Sequence, residues 1–448
     1  MQNSISTSRK ALYGAGDIMG TLAFTVTALF LPYFFTDVLG LPSLLAGLTI
    51  FLGNFWDALT DPFAGHFSDK TKSRFGRRRP FFIFMALPIG LTFVLLFAIP
   101  IGMTVISTFL LASIAYIAFM TSTTFYLVPY LAYGMEIERS YDGRTSITAW
   151  RMLFSVGFGL VGAVVPKMIW ESTPTPSEGF LLMAIILAIP VTLSTLFPFF
   201  AGREPKLKKS HESNFRKDFK KALKSRPFIK GIVIYIATWT GIGVVQTLLI
   251  YYFKYVLNIS GQFEIVIGVL FGVTIIALPL WVFLSSKLDK RKAYILGAAI
   301  FGIVLLVLLL NTPTVLKLLW FIVPLLGLGL SALHVMPTAI LPEAIEAATE
   351  GNSGEGTHYG IVTFLHKICN AVAQFGILGM LGVFGYIETT QEILVQQPES
   401  AITAIRLLIV LVPVILFGIG IIFALLFKIG RDGNNPKDNQ LGEDGNLS

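Results

Sequence analysis

Apolar residues run through this chain in long blocks, broken by short clusters of charge. The blocks repeatedly exceed the ~18 consecutive apolar residues that mark a membrane-crossing helix. They predict spans over 11–35, 43–66, 81–100, 104–135, 146–169, 179–201, 228–254, 263–286, 293–311, 315–341, 359–387 and 402–428. Gly and Pro inside several of them are tolerated because neighbouring helices satisfy freed backbone groups. The first block continues to Thr36 with no small-residue cleavage site, so it is expected as a retained helix and not a signal peptide. The stretch 202–227 divides two six-span halves, 1–201 and 228–428. Within it Phe215, Phe219 and Leu223 recur at helical spacing amid Lys and Arg, the pattern of an amphipathic helix lying against an anionic inner leaflet. The tail 429–448, rich in Gly, Asn and Asp, is expected to be disordered and cytoplasmic. The fold class is therefore an all-α membrane protein of twelve transmembrane helices.

Composition agrees. Hydrophobic residues are 54% of the 448 and charged residues 13%, against a usual soluble share of roughly 25% charged. A soluble enzyme is excluded. The net charge of +8 does not form a nucleic-acid face, because the bases sit in short loops between spans. Arg9 and Lys10, the run Lys70–Arg79, Arg139 and Arg144, the run Arg203–Lys230, Lys287–Lys292, and Lys428, Arg431 and Lys437 all fall on one side. The opposite loops hold Lys167, Lys254 and Lys317. By the positive-inside rule both termini and the central loop face the cytoplasm, as in a bacterial inner membrane. The single cysteine, Cys369, forbids an intrachain disulfide and reads as a small packing residue. No metal-spaced His/Cys cluster, phosphate-cradling glycine loop or nucleophile constellation is present, so an ion gradient or the solute itself must supply the driving energy. His334 and His366, within spans, read as interhelical hydrogen bonders.

Charges inside the spans are the candidate chemistry, since an acid at the bilayer centre costs about 2.5–3.5 kcal/mol on insertion scales. Span 2 carries Asp57 and Asp61, four residues apart and so on one helix face. Two adjacent carboxylates in low dielectric need a cation or a proton between them. Oxygen ligands of this kind suit a hard cation, and Thr60 adds a hydroxyl. The competing reading is an interior salt bridge to Arg151 in span 5 or Lys367 in span 11. Asp17 lies two turns into span 1, suited to gating or to substrate contact.

The halves echo one another. After span 2 comes Gly65-His-Phe-Ser-Asp69, then Gly76-Arg77-Arg78-Arg79; after span 8 comes Asp289-Lys-Arg-Lys292. Val128-Pro129 with Glu136 beyond is matched by Met336-Pro337 with Glu343 beyond, and Arg151 by Lys367. Parallel six-span repeats are the plan of one transporter superfold. Asp69, Arg77, Arg78 and Glu136 form a candidate gate, an acid at a helix end pairing with bases of an adjoining element.

Taken in order from Tyr13 to about Lys367, the motifs Tyr13-Gly-Ala-Gly-Asp17, Phe35-Thr36-Asp37-Val-Leu-Gly40, Trp56-Asp57 with Asp61-Pro62, Ser73-Arg-Phe-Gly-Arg77, Val128-Pro129-Tyr130 and Arg144 with Trp150-Arg151 carry a specific resemblance. The chain resembles the glycoside–pentoside–hexuronide cation symporters of the major facilitator superfamily, the melibiose-permease type. The resemblance implies a facilitator fold of two six-helix halves around a central cavity, with symport of a sugar or glycoside coupled to Na⁺, Li⁺ or H⁺. It assigns Asp57, Asp61 and Thr124 to the cation, places Lys367 close to that site and gives Arg151 to the sugar; Thr60 joins the candidate cation ligands, and Lys367, Asp17 and Trp56 the candidate substrate contacts, on the residue reading. No cofactor, no metal beyond the coupling cation and no obligate protein partner are expected from the sequence. The chain departs from the melibiose type where Leu22 and Leu127 replace sugar-binding acids and Leu131 replaces the stacking aromatic. Carboxylates bind sugar hydroxyls and leucines leave them unpaired, so a galactoside of the melibiose kind is not expected. The apolar replacements open a second expectation, since the sodium-dependent lysophospholipid symporters of vertebrates are similar to this family. A third, a facilitator-fold sensor or assembly protein without transport, has no use for paired carboxylates.

Overall fold

A computed structural model describes residues 6–137, 141–202, 204, 224–349, 355–390 and 396–427. The amphipathic stretch around Phe215 and the tail 429–448 lie outside the described residues. The described chain is helical, with spans Thr7–Val38, Ser43–Lys70, Arg79–Phe97, Val105–Ile137, Tyr141–Trp170, Pro176–Phe200, Arg226–Leu257, Phe263–Leu288, Lys290–Val307, Thr312–Thr349, Glu355–Val383 and Glu399–Leu426. Eleven of them are long and apolar enough to cross a membrane. The twelfth, Lys290–Val307, opens on Lys290, Arg291 and Lys292, which dilute an otherwise apolar helix.

The chain forms two compact units. One contains Met1–Ser210 together with Gln246–Gly268 and Asn370–Arg406; the other contains His211–Val245, Val269–Cys369 and Leu407–Ser448. The ends of spans 7, 8, 11 and 12 that lie away from the basic loops thus belong to the first unit. In the second unit Phe228, Ile232, Leu341, Ile345, Ile361 and Val362 form an apolar cluster joining spans 7, 10 and 11.

Span 1 is broken at Gly16, between helices Thr7–Ala15 and Asp17–Tyr33. A side chain there would stand 2.3 Å from Pro198 Cγ and 2.7 Å from the Tyr126 hydroxyl. The Tyr126 hydroxyl donates to Gly16 O at 2.9 Å and the Tyr130 hydroxyl to Tyr13 O at 3.0 Å. Span 4 therefore supplies donors to the carbonyls at the break, the condition for irregular backbone at membrane depth.

Spans 1 and 7 end alike. Each closes in a wide π-helical turn, Phe34–Val38 and Tyr252–Leu257, followed by a left-handed residue, Gly40 at φ 64° and Asn258 at φ 55°. The amides of Leu41 and Ile259 donate to Phe35 O and Phe253 O at 2.9 and 3.1 Å, the same closing bond in each half. The underlying sequences, Tyr33-Phe-Phe-Thr-Asp-Val-Leu-Gly40 and Tyr251-Tyr-Phe-Lys-Tyr-Val-Leu-Asn258, repeat position by position. Glycine and asparagine are the residues that enter the left-handed region at least cost.

Candidate functional site

Asp57 is buried in span 2, and the hydroxyl of Thr124 in span 4 hydrogen-bonds its Oδ1. Thr60, one turn on, is buried and donates back to the carbonyls of Trp56 and Asp57 at 3.0 and 3.2 Å. Its oxygen lone pairs remain for a ligand. Asp61 follows on the same face, half-buried. Trp56 is exposed, and its indole N–H donates to Thr121 at 2.9 Å, away from the Asp57 carboxylate. One turn before Asp57, Asn54 accepts from the Tyr116 hydroxyl at 2.9 Å and donates to Gln374 of span 11 at 3.2 Å. Neither partner of Asn54 stands out in the sequence, since neither carries a charge.

Arg151, weighed from sequence as a counter-ion for the span 2 acids, instead lies 3.5 Å from Asp17. Asp17 opens the second helix of span 1, where the positive end of the helix dipole favours a carboxylate. Beside the pair, the hydroxyls of Thr21 and Ser155 are 2.7 Å apart. The break at Gly16 turns Asp17 toward span 5. Lys367 sits mid-span in Glu355–Val383, half-buried, within the second unit. Cys369, expected in packing, is exposed: it falls on an outward stripe of span 11, where length and apolarity alone do not reveal the facing side.

The basic loop closes on the acids singled out in the sequence. Arg78 reaches Asp69 at 2.8 Å and Glu136 at 2.8 Å, and Arg77 reaches Glu136 at 2.6 Å and Asp69 at 3.8 Å. Glu204, which sequence reasoning missed, accepts from the backbone amides of Arg77, Arg78 and Arg79 at 2.9, 2.8 and 2.9 Å. The second half carries the counterpart, Lys290 against Glu343 at 2.5 Å, with Asp289 accepting from the amide of Arg291. Each half thus ties the loop after its second span to the end of its fourth.

At the opposite ends of the spans lies a cluster that the candidate residues did not include. The Asp37 side chain is 0% exposed and lies 3.0 Å from Lys254 Nζ. The Tyr255 hydroxyl donates to its Oδ1, and the Tyr386 and Thr36 hydroxyls to its Oδ2 at 2.6 and 2.7 Å. Burial and the Asp37 charge push the Tyr386 phenol above its ordinary range and keep it a donor. The Thr389 amide donates to Thr36 O at 3.2 Å, which lays the segment after span 11 over the end of span 1. The repeated Tyr-x-Phe-x-x-Val-Leu sequence was the signal that could have found it. Lys167 is likewise buried, bonded to Glu264 at 2.8 Å and Glu171 at 2.7 Å. Two of the three bases in loops read as outer are therefore structural ion pairs.

The sequence model of the family described as MFS/sugar transport protein matches residues 12–431. A glucuronide carrier protein homolog of Escherichia coli is 27% identical, over 90% of this chain and 88% of its own. The sodium-dependent lysophosphatidylcholine symporter 1 of Xenopus tropicalis is 22% identical, over 96% and 89%. Among solved structures, a bacterial homologue of the lysosomal transporter Spinster in an inward-facing, unoccupied conformation superposes with a TM-score of 0.66 at 14% identity, covering 94% of this chain and 97% of that one. That likeness gives the major facilitator fold. A family match across nearly the whole chain, on a helical bundle whose acids and bases sit inside its spans, makes this protein a membrane transporter, no enzyme, and a member of the MFS/sugar transport protein family.

Proposed function

We propose that the protein is a cation-coupled symporter of a small hydroxylated solute, a sugar or glycoside, resident in a bacterial inner membrane. The observation that carries this reading is the buried Asp57 carboxylate facing the Thr124 hydroxyl across spans 2 and 4. A carboxylate at that depth is costly without a cation or proton, and the oxygen set of Asp57, Asp61, Thr60 and Thr124 suits Na⁺, Li⁺ or H⁺. The Asp17–Arg151 pair beside Thr21 and Ser155 supplies polar groups for solute in the first half. Cation binding at the acids raises solute affinity, and by linkage solute raises cation affinity by the same factor. Alternating access then delivers both to the cytoplasm.

The glucuronide carrier relative favours a glycoside, while the lysophosphatidylcholine symporter keeps an amphipathic solute as the second reading. Uptake by proteoliposomes of radiolabelled glycosides, pentosides, uronides and lysophosphatidylcholine, with and without Na⁺ and at two pH values, tests both. Gradient-driven accumulation of a sugar that vanishes in Asp57→Asn supports the proposal. Equal accumulation without any cation or proton gradient sinks it.

A further inference from the structure

The second compact unit holds a cluster that no family motif quoted above touches. The rings of Trp239 in span 7 and His334 in span 10 meet edge to face, with centroids 5.1 Å apart at 78°. Tyr235, one turn before Trp239, lies 6.2 Å from it and 5.6 Å from the ring of His366 in span 11. All four side chains are half-buried. Two atoms define the chemistry. His334 Nδ1 lies 3.0 Å from Leu330 O. A carbonyl only accepts, so Nδ1 carries the proton and Nε2 of the neutral ring presents a lone pair. The Trp239 indole N–H is closed off from solvent yet has no acceptor among the described residues. Such an orphan donor costs about 1–3 kcal/mol, recovered when an oxygen reaches it.

We infer that Trp239 and His334 form a solute subsite that reads one hydroxyl, the indole N–H donating to its oxygen and His334 Nε2 accepting its proton, with Tyr235 offering an apolar ring face beside it. A donor and an acceptor on adjacent rings match a group that both accepts and donates, as each sugar hydroxyl does. A quaternary ammonium headgroup does neither, and a cage for one needs rings spread around a space, whereas these rings close on each other. The subsite therefore favours a hydroxylated ring over a choline headgroup. This inference rests on the proposed sugar symport and deepens it.

The test titrates the purified full-length protein in detergent with 4-nitrophenyl glucoside, galactoside, xyloside and glucuronide, with single-deoxy analogues of the tightest binder, and with lysophosphatidylcholine. Trp239→Phe keeps the ring and deletes the N–H; His334→Gln keeps an acceptor, and His334→Leu removes it. The expected result is a five- to tenfold loss of glycoside affinity in Trp239→Phe and His334→Leu, with partial retention in His334→Gln. One deoxy position should lose affinity for the wild type but show no further loss in Trp239→Phe, a signature that a merely structural role does not produce. Uniform losses across all deoxy analogues, or unchanged glycoside affinity, overturn the subsite while leaving symport standing. Binding of lysophosphatidylcholine alone also overturns it, again with symport intact. Absence of cation-stimulated uptake of any solute by the wild type is the separate result that removes the symport reading.

Discussion

Lys254 Nζ and the Asp37 carboxylate lie 3.0 Å apart at adjoining positions of the two repeated span ends, the acid wholly shut from solvent. One π-helical turn supplies the acid and its counterpart supplies the base. A buried pair of this kind contributes little net stability, but losing one member strands the other. Asp37→Asn or Lys254→Met alone should destabilise the protein by about 3–5 kcal/mol, and the double variant should recover much of that loss. Thermal unfolding in detergent of the four proteins of this cycle measures it. Additive losses would show that the pair does not act as a unit.

The carboxylates of span 2 give a functional prediction. Asp57→Asn and Asp61→Asn should abolish coupled uptake with expression intact, and Thr124→Val should weaken the cation response several-fold while Thr124→Ser keeps it. Dependence of thermal stability on NaCl, with KCl as the control, reads cation binding without knowledge of the solute. Normal accumulation in both Asn variants would refute the cation role.

Glu204 holds three consecutive backbone amides at Arg77, Arg78 and Arg79. Hydrogen bonds to a charged acceptor are worth about 1.5–3 kcal/mol when one partner is lost. Glu204→Ala should therefore destabilise the basic loop and speed its cleavage by trypsin after Arg77 and Arg78, whereas Glu204→Gln should be milder. An unchanged cleavage rate would count against it.

Gly16 sits where the helix break, Pro198 and Tyr126 converge. Gly16→Val should destabilise by about 1–3 kcal/mol through overpacking, and shift Asp17 relative to Arg151. Lowered thermal stability together with impaired solute uptake checks it. Gly102, with open space around its Cβ direction, has a left-handed φ of 80° and so makes no neutral control; Gly157, whose Cβ direction meets nothing within 4 Å beyond its own helix, does.

Span number and the exclusion of an enzyme came from sequence alone, because hydrocarbon forces apolar runs of fixed length, while the one-sided bases give the orientation expected by the positive-inside rule. Asp57 and Asp61 stood out for the same reason: a carboxylate in a span is expensive wherever it faces. The acids and bases around Asp69, Arg78 and Glu136 were legible because the two halves repeat them.

Tertiary structure decided the partners. Arg151 had several acids within reach of a plausible bundle, and only the break at Gly16, with span 5 packed against it, assigns it to Asp17. Lys254 and Lys167 read as loop charges because hydropathy measures a segment's average; burial of one side chain depends on what another span brings to it. Glu204 and Gln374 act through backbone amides and a neutral amide, which leave no pattern along a chain. Cys369 was read as packed because apolarity around a residue fixes its depth in the bilayer but not the face of the helix it occupies. Local sequence thus sets what enters the membrane and at what cost, whereas the pairing that offsets the cost is made between spans distant in sequence.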